Sequence, residues 1–411
     1  MIGGNRRSYI TSIDIGTTKI CVLVARVLDQ YNLEIIGVGK TISEGLSKGV
    51  VVDIAKAVYA IGQAVKEAEI MAGLSINSAV IGISGGHISS QNSHGIVPIK
   101  KQEIRVQDIE SVLAAASAIP LKENQKILHV LPQYFMLDGR EIVYDPLGMY
   151  GIRLEVEAHI ILGAIASVQN LINCCERVQI VVEDIILEQL ASADAVLTAD
   201  ERMLGVAILD IGGGTADLAV YHQGSIRHTM VLPIAGNHFT HDLAIGLCTT
   251  TKAAEYVKKQ YGIVHEAYLD TDMLIECETI QQVQKKIIMQ RDVLEILRPR
   301  AIELFSLIKK ELISKKLQGY MPMGLVLTGG GSLLCGMQEI AQEVFAVPIR
   351  VGKPHIAFDL PQTLQNPMYA TGYGMLIHAL KKEAKYGANK TRLTQASHIL
   401  ERMKSWIIDL F

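Results

Sequence analysis

Apolar positions recur along this chain with two alternating periods. "YITSIDIGTTKICVLVARV" is a nearly continuous apolar run broken at Gly16–Thr18, which predicts two strands joined by a turn. "NLEIIGVGKTIS" predicts another strand. "DIAKAVYAIGQAVKEAEIMAG" places apolar residues at helical spacing and ends at Gly73, a residue suited to the position just past a helix. "SAVIGISGGHI" returns to strand. Strands alternating with crossover helices predict an α/β fold.

The texture changes over residues 84–164, which read as an inserted α+β module. A polar loop, a strand and a helix starting near Gln107 are expected first. Strands around "KILHVLPQYFML" and "RLEVEAHIILGA" follow, with a turn at Asp138–Gly139. The α/β theme resumes with a helix at 167–178, a strand at 179–186 and a helix at 188–199. Further strands are expected at "LGVAILDIGGG" and "ADLAVYHQGSI", and helices dominate 238–318. The strand "MGLVLTGGGS", the helix "MQEIAQEVF", the segment "PIRVGKP" and a helix at 367–381 close the pattern.

A chain of 411 residues with 49% hydrophobic and 20% charged residues is globular and long enough for several domains. A net charge of −3 gives no general attraction to nucleic acid, and no nucleic-acid partner is expected. The six cysteines lack C-x-x-C spacing, so a reducing compartment is expected. Arg6 and Arg7 are followed by no long apolar run, so no signal peptide is expected. No stretch reaches the roughly 18 apolar residues of a membrane-spanning helix. From Lys381 to Arg392, five cations against Glu383 predict a flexible basic linker. Beyond it, at 100° per residue, Ile399, Leu400, Met403, Trp406, Ile407, Leu410 and Phe411 share one helix face. That face suits either a membrane interface or packing on the chain's own domain; the linker favours the membrane.

"SIDIGTTKICVLV" (12–24) and "ILDIGGGTADLAV" (208–220) share a pattern, with Asp14 and Asp210 in the same place. This suggests a duplicated domain with a cleft between the halves. Gly-rich turns at "DIGTTK", "DIGGGT" and "LTGGGS" let backbone N–H groups form a concave nest for phosphate oxygens. Thr17, Thr18 and Thr215 add hydroxyl donors, and Lys19 could neutralise terminal phosphates. An aspartate opening such a turn repels phosphate unless a cation intervenes, so Asp14 and Asp210 imply Mg²⁺ held through water.

These three turns resemble the phosphate 1, phosphate 2 and adenosine motifs of the superfamily of actin, heat-shock chaperone and sugar-kinase ATPases. The resemblance assigns ATP phosphates to Gly16, Thr17, Thr18, Lys19, Gly212, Gly213, Gly214 and Thr215. It assigns adenosine to Glu255 and Lys258 of "AEYVK", and to Gly329, Gly330, Gly331 and Ser332. The stretch from "LASADAVLTADERMLGVAILDIGGG" to "HFTHDLA", with "DPLGMYGIRLE" and "LTGGGSLLCGMQEIAQEVFAVPIRVGKP", is similar to the FtsA family of bacterial cell-division proteins. That resemblance covers essentially the whole chain. It implies a two-lobed actin-like ATPase fold of duplicated RNase H-like domains, with a 1C subdomain in place of actin 1B. On that plan subdomain 1A spans 1–83 and 165–200, 1C spans 84–164, 2A spans 201–234 and 306–366, and 2B spans 235–305. A return helix at 367–381, a basic linker at 382–396 and a membrane-targeting helix at 397–411 complete it.

The resemblance implies a protein that polymerises on the cytoplasmic face of the inner membrane at the division septum. It would tether filaments of the tubulin-like protein FtsZ by its C-terminal tail peptide, and help recruit later divisome proteins. Anionic inner-membrane lipids would be a further partner. Arg291, Arg298 and Arg300 are basic candidates for the acidic peptide; the alternative is solvated helix charge. Related ATPases place a water-positioning acid at an E-P-x-A-A-A helix start. Here "EQLASA" keeps Glu188 but has Gln189 for the proline and Ser192 for an alanine, so at most slow hydrolysis is expected. Glu188 is alternatively a first-turn acid favoured by the helix dipole. Rival readings are a sugar or small-acid kinase, a heat-shock-type chaperone and a PilM-like pilus-assembly protein.

Overall fold

The computed structural model describes residues 9–29, 32–271, 273–278, 285–354 and 360–386, with backbone alone for 383–386. Strands β1 (Tyr9–Ile15), β2 (Lys19–Val27) and β3 (Leu33–Ile42) form an antiparallel meander, with β2 buried from Ile20 to Ala25 and β1 burying Thr11, Ser12 and Asp14 beside its isoleucines. A two-residue ribbon follows, β4 (Leu46–Ser47) with β5 (Val50–Val51). Helix α1 (Ile54–Ala72) starts where the Asp53 carboxylate accepts the Lys56 N–H and ends at left-handed Gly73, as expected. It buries an alanine-rich face with Ile61 and Val65, and β6 (Ser78–Ile83) then runs parallel to β1.

The module folds as β7 (Ser89–Pro98), α2 (Val106–Ala116), β8 (Gln125–Leu137), β9 (Glu141–Val143) and β10 (Arg153–Ala164), in the sheet order β7-β10-β8-β9. Its own core includes Ile104, Leu113, Phe135 and Leu154. The polar segment expected as a loop is strand here, with Ser89 to Pro98 paired residue for residue with β10. It is an edge strand, so backbone pairing rather than apolar burial holds it. The Asp138–Gly139 turn forms as expected, with both residues at positive φ.

Helix α3 (Ile165–Arg177) returns the chain to the first sheet, where β11 (Val181–Leu187) pairs with β6 in the order β11-β6-β1-β2-β3. The single helix expected at 188–199 is two, α4 (Glu188–Val196) and α5 (Ala199–Leu204). They are divided where extended Thr198 caps α5 with a reciprocal Thr198–Glu201 box. The second lobe repeats the first. Strands β12 (Val206–Ile211), β13 (Ala216–His222) and β14 (Ser225–Leu232) form a meander. Helices α6 (Gly236–Gly246) and α7 (Thr251–Tyr261) lead to a hairpin, β15 (Leu274–Glu278) with β16 (Lys285–Met289). This hairpin interrupts the region expected to be helical. "LIECE" alternates exposed and buried side chains, a period of two too short to stand out among helices. Helix α8 (Gln290–Ser314) follows. Strand β17 (Leu325–Thr328), α9 (Met337–Phe345) and β18 (Ile349–Val351) complete a sheet of order β14-β13-β12-β17-β18. Each lobe is therefore an antiparallel meander extended by two parallel strands.

Helix α10 (Ala370–Tyr386) packs back onto α4 and β1 of the first lobe. It runs five residues beyond the expected end at 381, because ion pairs pin its last turns. Lys381 Nζ lies 3.0 Å from Asp194 and Lys382 Nζ 2.8 Å from Asp184. The amphipathic face from Ile399 to Phe411 and the remaining linker lie outside the described residues. Among the described residues no helix is long and apolar enough to cross a membrane.

The module is inserted in the first lobe yet rests on the second. Ser90 Oγ donates to the Thr229 carbonyl at 2.9 Å, and Gln133 Nε2 to the Arg227 carbonyl at 3.2 Å. His159 bridges Asn92 Oδ1 (2.7 Å) and Thr229 Oγ1 (2.9 Å). All three contacts reach edge strand β14.

Candidate nucleotide site

The β1–β2 and β12–β13 turns are built alike. The Gly16 N–H donates to the Lys19 carbonyl at 3.0 Å, and the Gly212 N–H to the Thr215 carbonyl at 2.9 Å. The two turns meet tip to tip across the cleft. A Cβ on Gly213 would lie 2.3 Å from Thr18 Cγ2, and one on Gly214 2.3 Å from Thr17 Oγ1. Only glycine permits this approach. Between the lobes lies a cavity of about 780 Å³. It is lined by every residue expected to bind phosphate or metal, and by Glu188, Glu255, Lys258 and Gly329–Gly331. Ser332 is brought near but turned away: it is buried and donates to the Gly329 carbonyl at 2.7 Å, holding that turn.

The two matched aspartates are buried at the cavity floor. Lys19 Nζ lies 3.4 Å from Asp14 Oδ2 and donates to the Met368 carbonyl at 2.5 Å, so both side chains already have partners. Asp210 belongs to the second lobe but is gripped by the first: Ser192 on α4 and Thr371 on α10 both donate to its Oδ2, the latter at 3.0 Å. Asp217, across the strand pair from Asp210, accepts from Ser84 Oγ at 2.5 Å. Glu188 opens α4, half-buried at the cavity wall. Ser84, Asp217 and Thr371 join the site without having been expected there, and Ser192 was expected only as a departure from the alanine of the helix-start motif; Asp217 had a local signal too, two residues past the glycine turn.

Burial dominates the electrostatics. It raises Asp14 above the ordinary carboxylate range despite Lys19, and raises Asp210 despite its two hydroxyl donors. Burial and then Asp217, Asp14 and Asp210 push Glu188 well up. Burial carries Asp217 to about 7, with Ser84 opposing and Asp210 adding. Burial also works against the charge on Lys19, but Asp14 outweighs it and keeps the ammonium ionised. Around the turns, Asp14, Asp210 and Glu188 gather beside Lys19, and hard oxygen donors of this kind suit Mg²⁺. Among the described residues no group of three or more His, Cys, Asp or Glu could hold an ion by itself. Asp14 and Asp210 therefore fit an ion that completes its shell with water or phosphate oxygens.

At the far wall, Lys258 Nζ lies 2.6 Å from Glu255 and donates to Thr240 Oγ1 at 2.7 Å and to the Gly236 carbonyl at 3.0 Å. Thr240 donates to Glu255 at 2.5 Å. This fixes both candidate adenosine residues on α7 with their polar ends at the cavity. The basic candidates on α8 are differently placed. Arg298 pairs with Glu266 at 2.7 Å, and Arg300 grips Asp242 through two bonds of 2.6 and 3.0 Å, so both are engaged within the fold. Arg291 is exposed at the start of α8.

Two lobes of one topology, with α4 and α10 packed together and matched glycine turns facing each other, define an actin-like ATPase fold. Solved structures agree on that fold. The "PilM-PilN type IV pilus biogenesis complex" aligns at TM-score 0.66 and 18% identity, covering 90% of this chain and 98% of that one. MreB5 of Spiroplasma citri bound to ADP aligns at TM-score 0.59 and 17% identity, covering 94% and 100%. The family model "Cell division protein FtsA" matches residues 207–374, and "SHS2 domain inserted in FTSA" matches 85–162. Cell division protein FtsA of Pseudomonas aeruginosa is 41% identical over 404 residues, 97% of each chain. That of Escherichia coli K12 is 34% identical over 416 residues, 99% of each. The chain belongs to the FtsA family of cell division proteins.

Proposed function

We propose that this chain is an ATP-binding switch of cell division that polymerises on the inner face of the cytoplasmic membrane at the septum. It ties FtsZ filaments to that membrane and helps recruit later division proteins. One observation carries the nucleotide half: matched glycine turns from both lobes converge, each beside a buried aspartate, on a single cleft. Gly16, Thr17, Thr18 and Gly212–Thr215 would cradle the phosphates, Asp14 and Asp210 would hold Mg²⁺ through water, and Glu255, Lys258 and Gly329–Gly331 would take the adenosine. Mg²⁺ would supply charge neutralisation at the terminal phosphates. The nucleotide-bound MreB5 structures of like fold support this use of the cleft.

A ligand touching both lobes favours the closed arrangement by its differential affinity, which is how nucleotide would set assembly. Glu188, which opens α4 at the cavity wall, would be the water-orienting acid of a slow hydrolysis. Single-turnover ATPase of Glu188→Ala at the wild-type rate would remove it from that role. The membrane half rests on the face from Ile399 to Phe411. With Lys381 and Lys382 paired to Asp194 and Asp184, lipid attraction falls to the cations beyond them, at roughly 1 kcal/mol each near an anionic surface. Co-sedimentation of FtsZ filaments with anionic liposomes tests it. The full chain should bring filaments down; a truncation after Lys390 should leave them in solution. Equal behaviour of the two would discard the tether.

A further inference from the structure

Ser84 directly follows strand β6, at the point where the inserted module leaves the first lobe, and it faces the second. Its hydroxyl, buried at 2% exposure, lies 2.5 Å from Asp217 Oδ1 and 3.2 Å from Thr215 Oγ1. Thr215 belongs to the second-lobe phosphate turn and Asp217 follows it on β13. The same stem also lies against Gly49, which in turn reaches the first-lobe turn. The Gly49 N–H donates to Thr17 Oγ1 at 3.0 Å, and a Cβ on Gly49 would lie 2.9 Å from the backbone of Ser84 and Gly85. Thr17, Gly49, Ser84, Thr215 and the Thr17–Gly214 contact thus close a ring around the place where the two turns meet.

We propose that Ser84 and Asp217 are positioning residues of this site, a clasp that sets the Thr215 hydroxyl and links the module's stem to nucleotide occupancy. The inference rests on the cleft's being a nucleotide site. The Ser84 hydroxyl is directed at both Asp217 Oδ1 and Thr215 Oγ1, and the Thr215 hydroxyl also bonds the Asp217 carboxyl, so the three groups form one hydrogen-bonded cluster. A phosphate that draws the Thr215 hydroxyl toward the cleft loosens the clasp on the stem. The stem carries the module, and the module grips β14 through Ser90, Gln133 and His159. A change at the phosphates therefore reaches the module through two or three bonds rather than through the lobes' cores.

The test uses the full chain and a non-hydrolysable ATP analogue with Mg²⁺. Binding is measured by calorimetry, and hydrogen exchange is followed at residues 85–98 and 225–232. Wild type should bind and change its exchange in both segments. Ser84→Ala should bind about tenfold more weakly and lose the exchange response. Asp217→Asn, which still offers Ser84 an acceptor, should lie closer to wild type than Asp217→Ala. Ser90→Ala, which breaks a module contact away from the turns, should bind as wild type does, separating positioning from a loosened module. Thermal unfolding of each variant identifies any that fail to fold. Ser84→Ala binding and responding as wild type overturns the clasp alone. Wild type that binds no analogue overturns the nucleotide site and the clasp together.

Discussion

At the scale of single residues, the site trades stability for binding. Asp210 is buried and its carboxyl is raised, so its charged form weakens the fold at neutral pH. Asp210→Asn should therefore leave the melting temperature without nucleotide unchanged or higher, while weakening Mg-ATP binding at least tenfold. A lower melting temperature with unchanged affinity would assign Asp210 to the fold. His159 gives a pH signature. Burial, with His228 adding, lowers its imidazole to about 3, so it stays neutral between Asn92 and Thr229. The unfolded chain protonates that histidine below about 6.5. Between that pH and 3 the unfolded state binds the extra proton, and stability falls as pH falls, by up to about 1.4 kcal/mol per pH unit. His159→Gln should flatten denaturation stability between pH 6 and 4; an unchanged slope would exclude His159 as a source. Asp14 and Asp210 were legible because a repeat exposes them in the sequence. The grip of Ser192 and Thr371 on Asp210 was not: they reach it from 18 and 161 residues away in the chain, and no local pattern records that.

At the scale of elements, the meanders, α1 and the glycine turns follow from period and turn chemistry. Errors fell where a local pattern was weak: polar edge strand β7, the short β15–β16 hairpin and the last turns of α10. The glycine turns make a sharp prediction. Gly214→Ala places a methyl against Thr17, as overpacking at a fixed contact, and should destabilise by about 1–3 kcal/mol in urea unfolding while also lowering nucleotide affinity. Loss of neither would mean that the turns do not meet. The end of α10 is set by charge. His378 and Lys382 overcome burial and hold Asp184 well below the usual carboxylate range. Lys382→Met should cost about 2 kcal/mol, part of the penalty for leaving a buried carboxylate with one partner fewer. A Lys382→Met chain as stable as wild type would free the helix end from that account.

At the scale of the whole molecule, duplication is the organising fact. Two sheets of one topology place equivalent turns and equivalent aspartates face to face, so a cleft follows from the repeat itself. The repeat was visible in 12–24 and 208–220. That the inserted module would lean on β14 of the opposite lobe was not, because its contacts are single hydroxyl, amide and imidazole groups on three separate strands. On the proposed function, this cleft binds one Mg-ATP. Calorimetric titration of the full chain with ATP, in Mg²⁺ and then in excess chelator, tests it most directly. One saturable site per chain is expected, weakened when Mg²⁺ is removed, with unfolding shifted by about 2.7 kcal/mol at a hundredfold excess over Kd. No saturable heat and no shift in unfolding would contradict it.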